Sequence, residues 1–142
     1  MRRTLVLIAL TAATLATGAA HAQPARSALD CDKVSQRGGT QSELNSCQGQ
    51  EFASADADLN KVYGQLRQHF KETSDTEASA LLVKAQRAWV GWRDSEGELC
   101  AQTQGWSQAG SGYGAVVRKC TTELTRKRTG ELRMHLREAE SH

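Results

Sequence analysis

The chain has 142 residues, of which 24% are charged, 39% hydrophobic and 5% aromatic, with a formal net charge of +2. Arg2 and Arg3 account for that whole excess and lie in a segment expected to be removed. The remainder is charge-balanced, so nucleic acid is not an expected partner, and its length suits one domain with a modest core.

In chain order, Arg2 and Arg3 form a positive start, Leu5 to Leu15 an uncharged apolar run, and Ala20-His21-Ala22 a small-x-small cleavage site. Residues 1–22 therefore read as a cleaved secretory signal, with Gln23 as the mature start. The apolar run falls short of the roughly 20 residues needed to span a bilayer, and no cysteine follows the cleavage site to take a lipid. A periplasmic or secreted protein without stable membrane insertion is expected. Residues 23–39 read as an extended lead-in ending in Gly38-Gly39, and residues 40–142 as the helical domain. Thr40 and Glu43 form a capping-box signature that starts a first helix. Leu44, Phe52, Ala55, Leu59, Val62, Leu66 and Phe70 follow as one apolar stripe, at a step of eight, or two fours, and then at steps of three and four.

The polar run from Lys71 to Glu77 breaks that stripe, and Ser74 with Glu77 offers a second capping box. A short connection of this kind joins antiparallel neighbours. Leu82, Ala85, Trp89, Trp92, Glu96 and Leu99 place a narrow seam on a second helix. Gly91 and Gly97 weaken it by about 1 kcal/mol each relative to alanine, and Gly97 predicts a loose last turn. Glycines at 105, 110, 112 and 114 make a loop between Cys100 and Cys120. A third helix then carries Val117, Cys120, Leu124, Leu132 and Leu136 on one face, with Arg128 in the middle of the stripe. Its many basic residues, among them Arg118, Lys119, Arg126, Lys127, Arg133 and Arg137, read as a solvated face. No β-alternation of useful length interrupts the pattern. The predicted fold is all-α, a three-helix antiparallel arrangement stapled by two disulfides.

An exported chain oxidises its cysteines, so Cys31, Cys47, Cys100 and Cys120 are expected to form two disulfides. Four cysteines allow three pairings. The local pairs, Cys31 with Cys47 and Cys100 with Cys120, are favoured; the rival joins Cys47 to Cys100, which an antiparallel hairpin turning near Ser74 brings level. No close cysteine pair exists, and His69, His135 and His142 are scattered without ligand spacing, so neither a metal nor a cofactor is expected.

Catalysis needs a nucleophile beside a base, two carboxylates across a cleft, or a metal. Asp56 with Asp58, and Glu96 with Glu98, are two apart on a helix and point in different directions. No enzyme is expected. Gln86, Trp89 and Arg93 share a helix face and read as a core tryptophan flanked by polar groups that bond to neighbouring helices. Arg128, set in an apolar stripe, needs a partner, for which Asp56 and Asp94 are the candidates. The candidate partner-binding residues are Trp106, Ser107, Ser111 and Tyr113, held on a glycine-rich segment between two cysteines.

Four motifs occur in order along the chain. They are Glu43-Leu44-Asn45 with Cys47; Ala55-Asp56 with Leu59-Asn60 and Tyr63; Ala85-Gln86 with Trp89, Arg93-Asp94 and Cys100; and Cys120 with Leu124-Thr125 and Arg128. Together they resemble the lysozyme-inhibitor LprI-type N-terminal domain family, a small secreted helical module of bacterial envelopes. The resemblance makes Asp56, Asn60, Tyr63, Gln86, Trp89, Arg93, Asp94 and Arg128 a structural signature, and it implies binding and inhibition of lysozyme. Lysozyme is strongly basic, so an inhibitor should show it acidic groups, here Glu43, Glu51, Asp56 and Asp58. The expected function is occlusion of the lysozyme cleft through the Gly105 to Gly114 loop. The alternative is a non-inhibitory structural or protein-interaction module of the cell envelope.

Overall fold

The computed structural model describes residues 29–141; the expected signal segment, residues 23–28 of the expected lead-in and His142 lie outside them. The fold has four helices: α1 (Cys31–Gln36), α2 (Gln41–Glu72), α3 (Thr76–Thr103) and α4 (Tyr113–Glu140). The three long helices run up, down and up. The lead-in differs from its expected extended form, because residues 31–36 are helical. Asp30 caps this short turn by accepting from Lys33 N–H, and Val34, 2% exposed, is its one buried anchor. The Cys31–Cys47 disulfide ties it to the first turns of α2, and Cys100–Cys120 joins α3 to α4. The local pairing is thus the one formed, and Cys47 and Cys100 are not joined.

Three helix ends share one local solution. After α1, Gly38 takes φ 65° while its N–H reaches Ser35 and that of Gly39 reaches Val34. After α3, Gly105 takes φ 84°, bonded to Gln102, with Trp106 N–H on Ala101. After α2 the left-handed residue is Ser74 at φ 58°, with Asp75 N–H on Phe70. Each closes the orphan carbonyls of its helix in the Schellman manner. Asp75, not Ser74, then caps α3 by accepting from Ala78 N–H at 2.9 Å, so one residue ends the α2 cap and begins the α3 cap. The Thr40–Glu43 capping box is formed in both directions at the start of α2. The Thr40 backbone N–H, followed by the Arg37 guanidinium, holds the Glu43 carboxyl below its ordinary pKa.

Large apolar side chains collect in one half of the bundle. Leu59, Val62, Leu66, Leu82 and Leu132 form the core, with Tyr63, Phe70, Trp89, Leu136 and Ala139 packed around it. These positions lie toward the α2–α3 turn. The opposite half, where both disulfides sit, is built from smaller groups: Ala55, Ala101, Ala115, Cys47, Cys120 and a run of threonines on α4. Thr121, Thr122, Thr125 and Thr129 are buried, each hydroxyl donating to a carbonyl one turn back on its own helix. A threonine satisfied in this way packs like a small apolar residue. It lets α2 and α4 approach along most of their length.

The seam of α3 differs from the predicted one. Trp92 and Leu99 are 51% and 55% exposed, whereas Leu82, Gln86, Arg93, Gly97 and Ala101 are buried. Gly97 does not loosen the helix, which runs on to Thr103. It sits against α4, where an added Cβ would come within 2.4 Å of the Thr121 methyl. Gly97→Val is therefore expected to overpack the α3–α4 contact and cost about 2 to 3 kcal/mol in a denaturant titration. Gly91→Ala, whose Cβ would meet nothing within 4 Å, should be neutral or stabilising by less than about 1 kcal/mol.

Candidate functional site

Two constellations concentrate the unusual chemistry: a stack of guanidinium and aromatic groups inside the bundle, and the loop between α3 and α4.

The stack begins on α2 with Phe52. The Arg93 guanidinium of α3 lies 5.2 Å from the Phe52 ring centroid and 5.2 Å from that of Trp89. Arg128 of α4 approaches the Trp89 ring at 6.0 Å. The order is thus Phe52, Arg93, Trp89, Arg128, crossing all three long helices. Carboxylates and amides complete each cation. Arg93 donates to Asp94 at 2.8 Å and to Asp56 at 3.4 Å, and Asp56 also accepts from Asn60 at 2.9 Å. Arg128 donates to Gln86 at 3.3 Å and to Glu131 at 3.0 Å. Both aspartates expected for Arg128 therefore serve Arg93, because Gln86, one turn before Trp89 on α3, stands opposite Arg128. The Arg93 side chain is 9% exposed and that of Arg128 14%. Desolvated guanidinium–aromatic contacts of this kind contribute up to about 2 kcal/mol each. Tyr63 lies outside the stack, against the apolar core, with Arg67 over its ring at 5.9 Å.

The loop is held at both ends. Gln104 lays its amide against the sulfurs of Cys100 and Cys120 at 3.1 and 3.7 Å. Asn45 of α2 donates to the Ser111 carbonyl at 3.3 Å, tying the loop back to the start of the bundle. Trp106, 42% exposed, packs on Gly112, where an added Cβ would sit 2.5 Å from the indole. Ser107 and Ser111 are exposed. Tyr113 is half-buried as the first residue of α4, and its hydroxyl is the one buried side-chain polar atom without a partner among the described residues. The loop thus presents one aromatic and two serines, while the Tyr113 hydroxyl is withdrawn from the surface.

The acidic groups put forward for a basic partner are largely engaged within the chain. Glu43 pairs with Arg37, Glu51 with Arg126 and Asp56 with Arg93, which leaves Asp58 without an ion pair among the described residues. Phe52, Glu131, Asn45 and Gln104 complete the two constellations; the sequence placed Phe52 only in the apolar stripe of the first helix and Asn45 only in the first family motif, and it did not single out Glu131 or Gln104. Glu131, one turn after Arg128, was the most readable of them. No group of three His, Cys, Asp or Glu residues is placed to hold a metal, and no helix is long and apolar enough to cross a membrane, among the described residues.

These features define a class: a small all-α protein, cross-linked by two local disulfides and by an arginine–aromatic stack, that carries a braced loop at one end. The chain belongs to the family described as Lysozyme inhibitor LprI, which it matches over residues 31–132. That span opens on the first disulfide cysteine and closes on Leu132, the last fully buried core residue. The chain is similar to the uncharacterized protein R02472 of Rhizobium meliloti (strain 1021), 38% identical over 121 residues that cover 79% of this chain and 82% of the relative. It is also similar to the uncharacterized protein YecT of Escherichia coli (strain K12), 32% identical over 100 residues, 65% of this chain and 62% of the relative. No solved structure matches it.

Proposed function

We propose that this protein is an extracytoplasmic lysozyme-binding protein that inhibits the enzyme by occluding its cleft with the loop between α3 and α4. The supporting observation is the bracing of that loop. A disulfide at its base, the Asn45 bond to Ser111 and the seat of Trp106 on Gly112 hold an exposed indole with little freedom left to lose. A preorganised aromatic at a protruding end suits insertion into a concave site. Family membership supports lysozyme as the partner, and two disulfides suit an oxidising compartment. Trp106, Ser107 and Ser111 form the proposed contact surface, with half-buried Tyr113 at its edge where α4 begins.

A cell-lysis assay with residues 23–142 tests this reading. Protection is expected near stoichiometric amounts, with Trp106→Ala weakening it by at least about tenfold, as for a central interface aromatic. Tyr113→Phe should leave potency unchanged because the hydroxyl is out of reach. Absence of protection against several lysozyme types at excess would end the inhibitor reading. The protein would then be an interaction module of the envelope.

A further inference from the structure

The two constellations lie on α4 or face it, yet the opposite side of the bundle is also shaped. The helices α2 and α3 touch each other little, since α4 bridges them, and a groove of about 1070 Å³ opens between them from the Ser74 turn downward. Tyr63 and Phe70 of α2 and Val83 of α3 line it, and Val90 continues it past Gln86. All are only partly buried or exposed. Tyr63 and Phe70 are seven residues apart, as are Val83 and Val90, a rise of about 10 Å or two helical turns. Four such apolar positions on two antiparallel helices make the floor a further helix uses when it completes a four-helix bundle.

The banks of this groove are cationic. Arg67 and Lys71 stand on α2, Lys84 and Arg87 on α3, and none of them makes an ion pair among the described residues. The acidic residue in the same cleft is Asp75, already spent as the α3 cap. Gly64 belongs to the same surface. It lies mid-helix on the groove wall, where glycine costs about 1 kcal/mol relative to alanine, and beyond its chain neighbours and its own helix backbone no atom lies within 4 Å of where its Cβ would be. Internal packing does not require this glycine. The space beside it is open, as it is at Gly49, Gly91 and Gly130, and here it faces the groove.

We infer that the α2–α3 groove docks an amphipathic helix of a partner protein, whose apolar face covers Tyr63, Phe70, Val83 and Val90 and whose flanks carry carboxylates for Lys71, Lys84 and Arg87. A basic enzyme such as lysozyme is repelled by these banks, so the groove serves a different partner from the loop. A bare polyanion or an anionic lipid surface satisfies the cations but leaves the paired apolar floor without purpose. The inference stands whether or not the loop inhibits lysozyme.

The test uses residues 23–142 and a panel of fluorescent amphipathic peptides about five turns long, with leucine at heptad positions and flanks of either glutamate or lysine. Polyglutamate, polyphosphate and phosphatidylglycerol vesicles serve as competing probes. Saturable binding of glutamate-flanked peptides is expected, weakening as salt rises. Reversing two cations, Lys84→Glu with Arg87→Glu, should weaken binding at least about tenfold, and Gly64→Gln should block it while raising helix stability. Circular dichroism should show both variants folded, because Gly64, Lys84 and Arg87 are exposed and the two cations make no ion pair among the described residues. The inference is overturned if no glutamate-flanked peptide binds at millimolar concentration, if lysine-flanked peptides bind equally, or if polyphosphate or the vesicles bind as tightly as the peptides and share their sensitivity to the two reversed charges.

Discussion

Arg93→Ala is expected to lower stability by about 2 to 4 kcal/mol, a fall in melting temperature of roughly 10 °C for a domain of this size. The reason lies in what touches Arg93. Its guanidinium is 5.2 Å from the rings of both Phe52 and Trp89, so the truncation empties the slot between them and separates α2 from α3. Its anionic partners are less affected. Asp56 and Asp94 are 38% and 60% exposed, and water can replace the lost cation. Asp56→Asn with Asp94→Asn should therefore cost less than about 1 kcal/mol, as for exposed ion pairs. Arg93→Lys keeps the charge but lacks the planar face and should recover less than half of the loss. Equal losses from the double aspartate variant and from Arg93→Ala, in the same denaturant titration, would show that the ion pairs carry the energy and the stack does not.

Replacing Cys100 and Cys120 together by alanine is expected to cost about 3 kcal/mol, the chain-entropy value for a loop of this length. The bond closes a separation of 20 residues, and it does so in the half of the bundle whose buried side chains are mostly small. Damage should stay local. Amide exchange should accelerate from Gly97 through Thr125, while amides around Leu59, Leu66 and Leu132 keep most of their protection. The freed loop should also inhibit lysozyme less well, because Trp106 then has to be ordered on binding. A uniform loss of protection along all three long helices would mean that the bundle unfolds as one unit, without a weaker half.

The three long helices and the first capping box were legible because they rest on local chemistry. Thr40 with Glu43, the glycines that interrupt the chain after Gln104, and the stripe from Ala55 to Leu66 each act within a turn or two of chain. What misled was the use of apolarity as a proxy for burial. On α3 the tryptophan and leucine at 92 and 99 drew the seam to themselves, yet the helix buries Gln86, Arg93 and Gly97. A guanidinium between two rings counts as polar in any periodicity, although its flat face packs as an aromatic does. The α4 threonines were missed for a related reason: their hydroxyls bond backward to their own helix, a bond that a hydropathy pattern does not register. The short helix α1 offers a single apolar residue, Val34, and takes its place from the disulfide to Cys47.

Of the loop residues, the sequence identified the segment but not how it presents them. The glycine that seats Trp106 and the burial of the Tyr113 hydroxyl depend on neighbours that come together only when α3 and α4 are side by side. The expected acidic face fared similarly. Glu51 and Arg126 lie on different helices, and nothing in their positions along the chain shows that they meet.

Each cysteine of this protein is bonded to its nearest neighbour in the chain, Cys31 to Cys47 and Cys100 to Cys120. A polypeptide emerging N-terminus first into an oxidising space would make the first bond before either later thiol had arrived. The correct connectivity is then the order of emergence itself. Such a chain can reach its native cross-links without reshuffling a wrong pair, and its maturation need not wait on an isomerase.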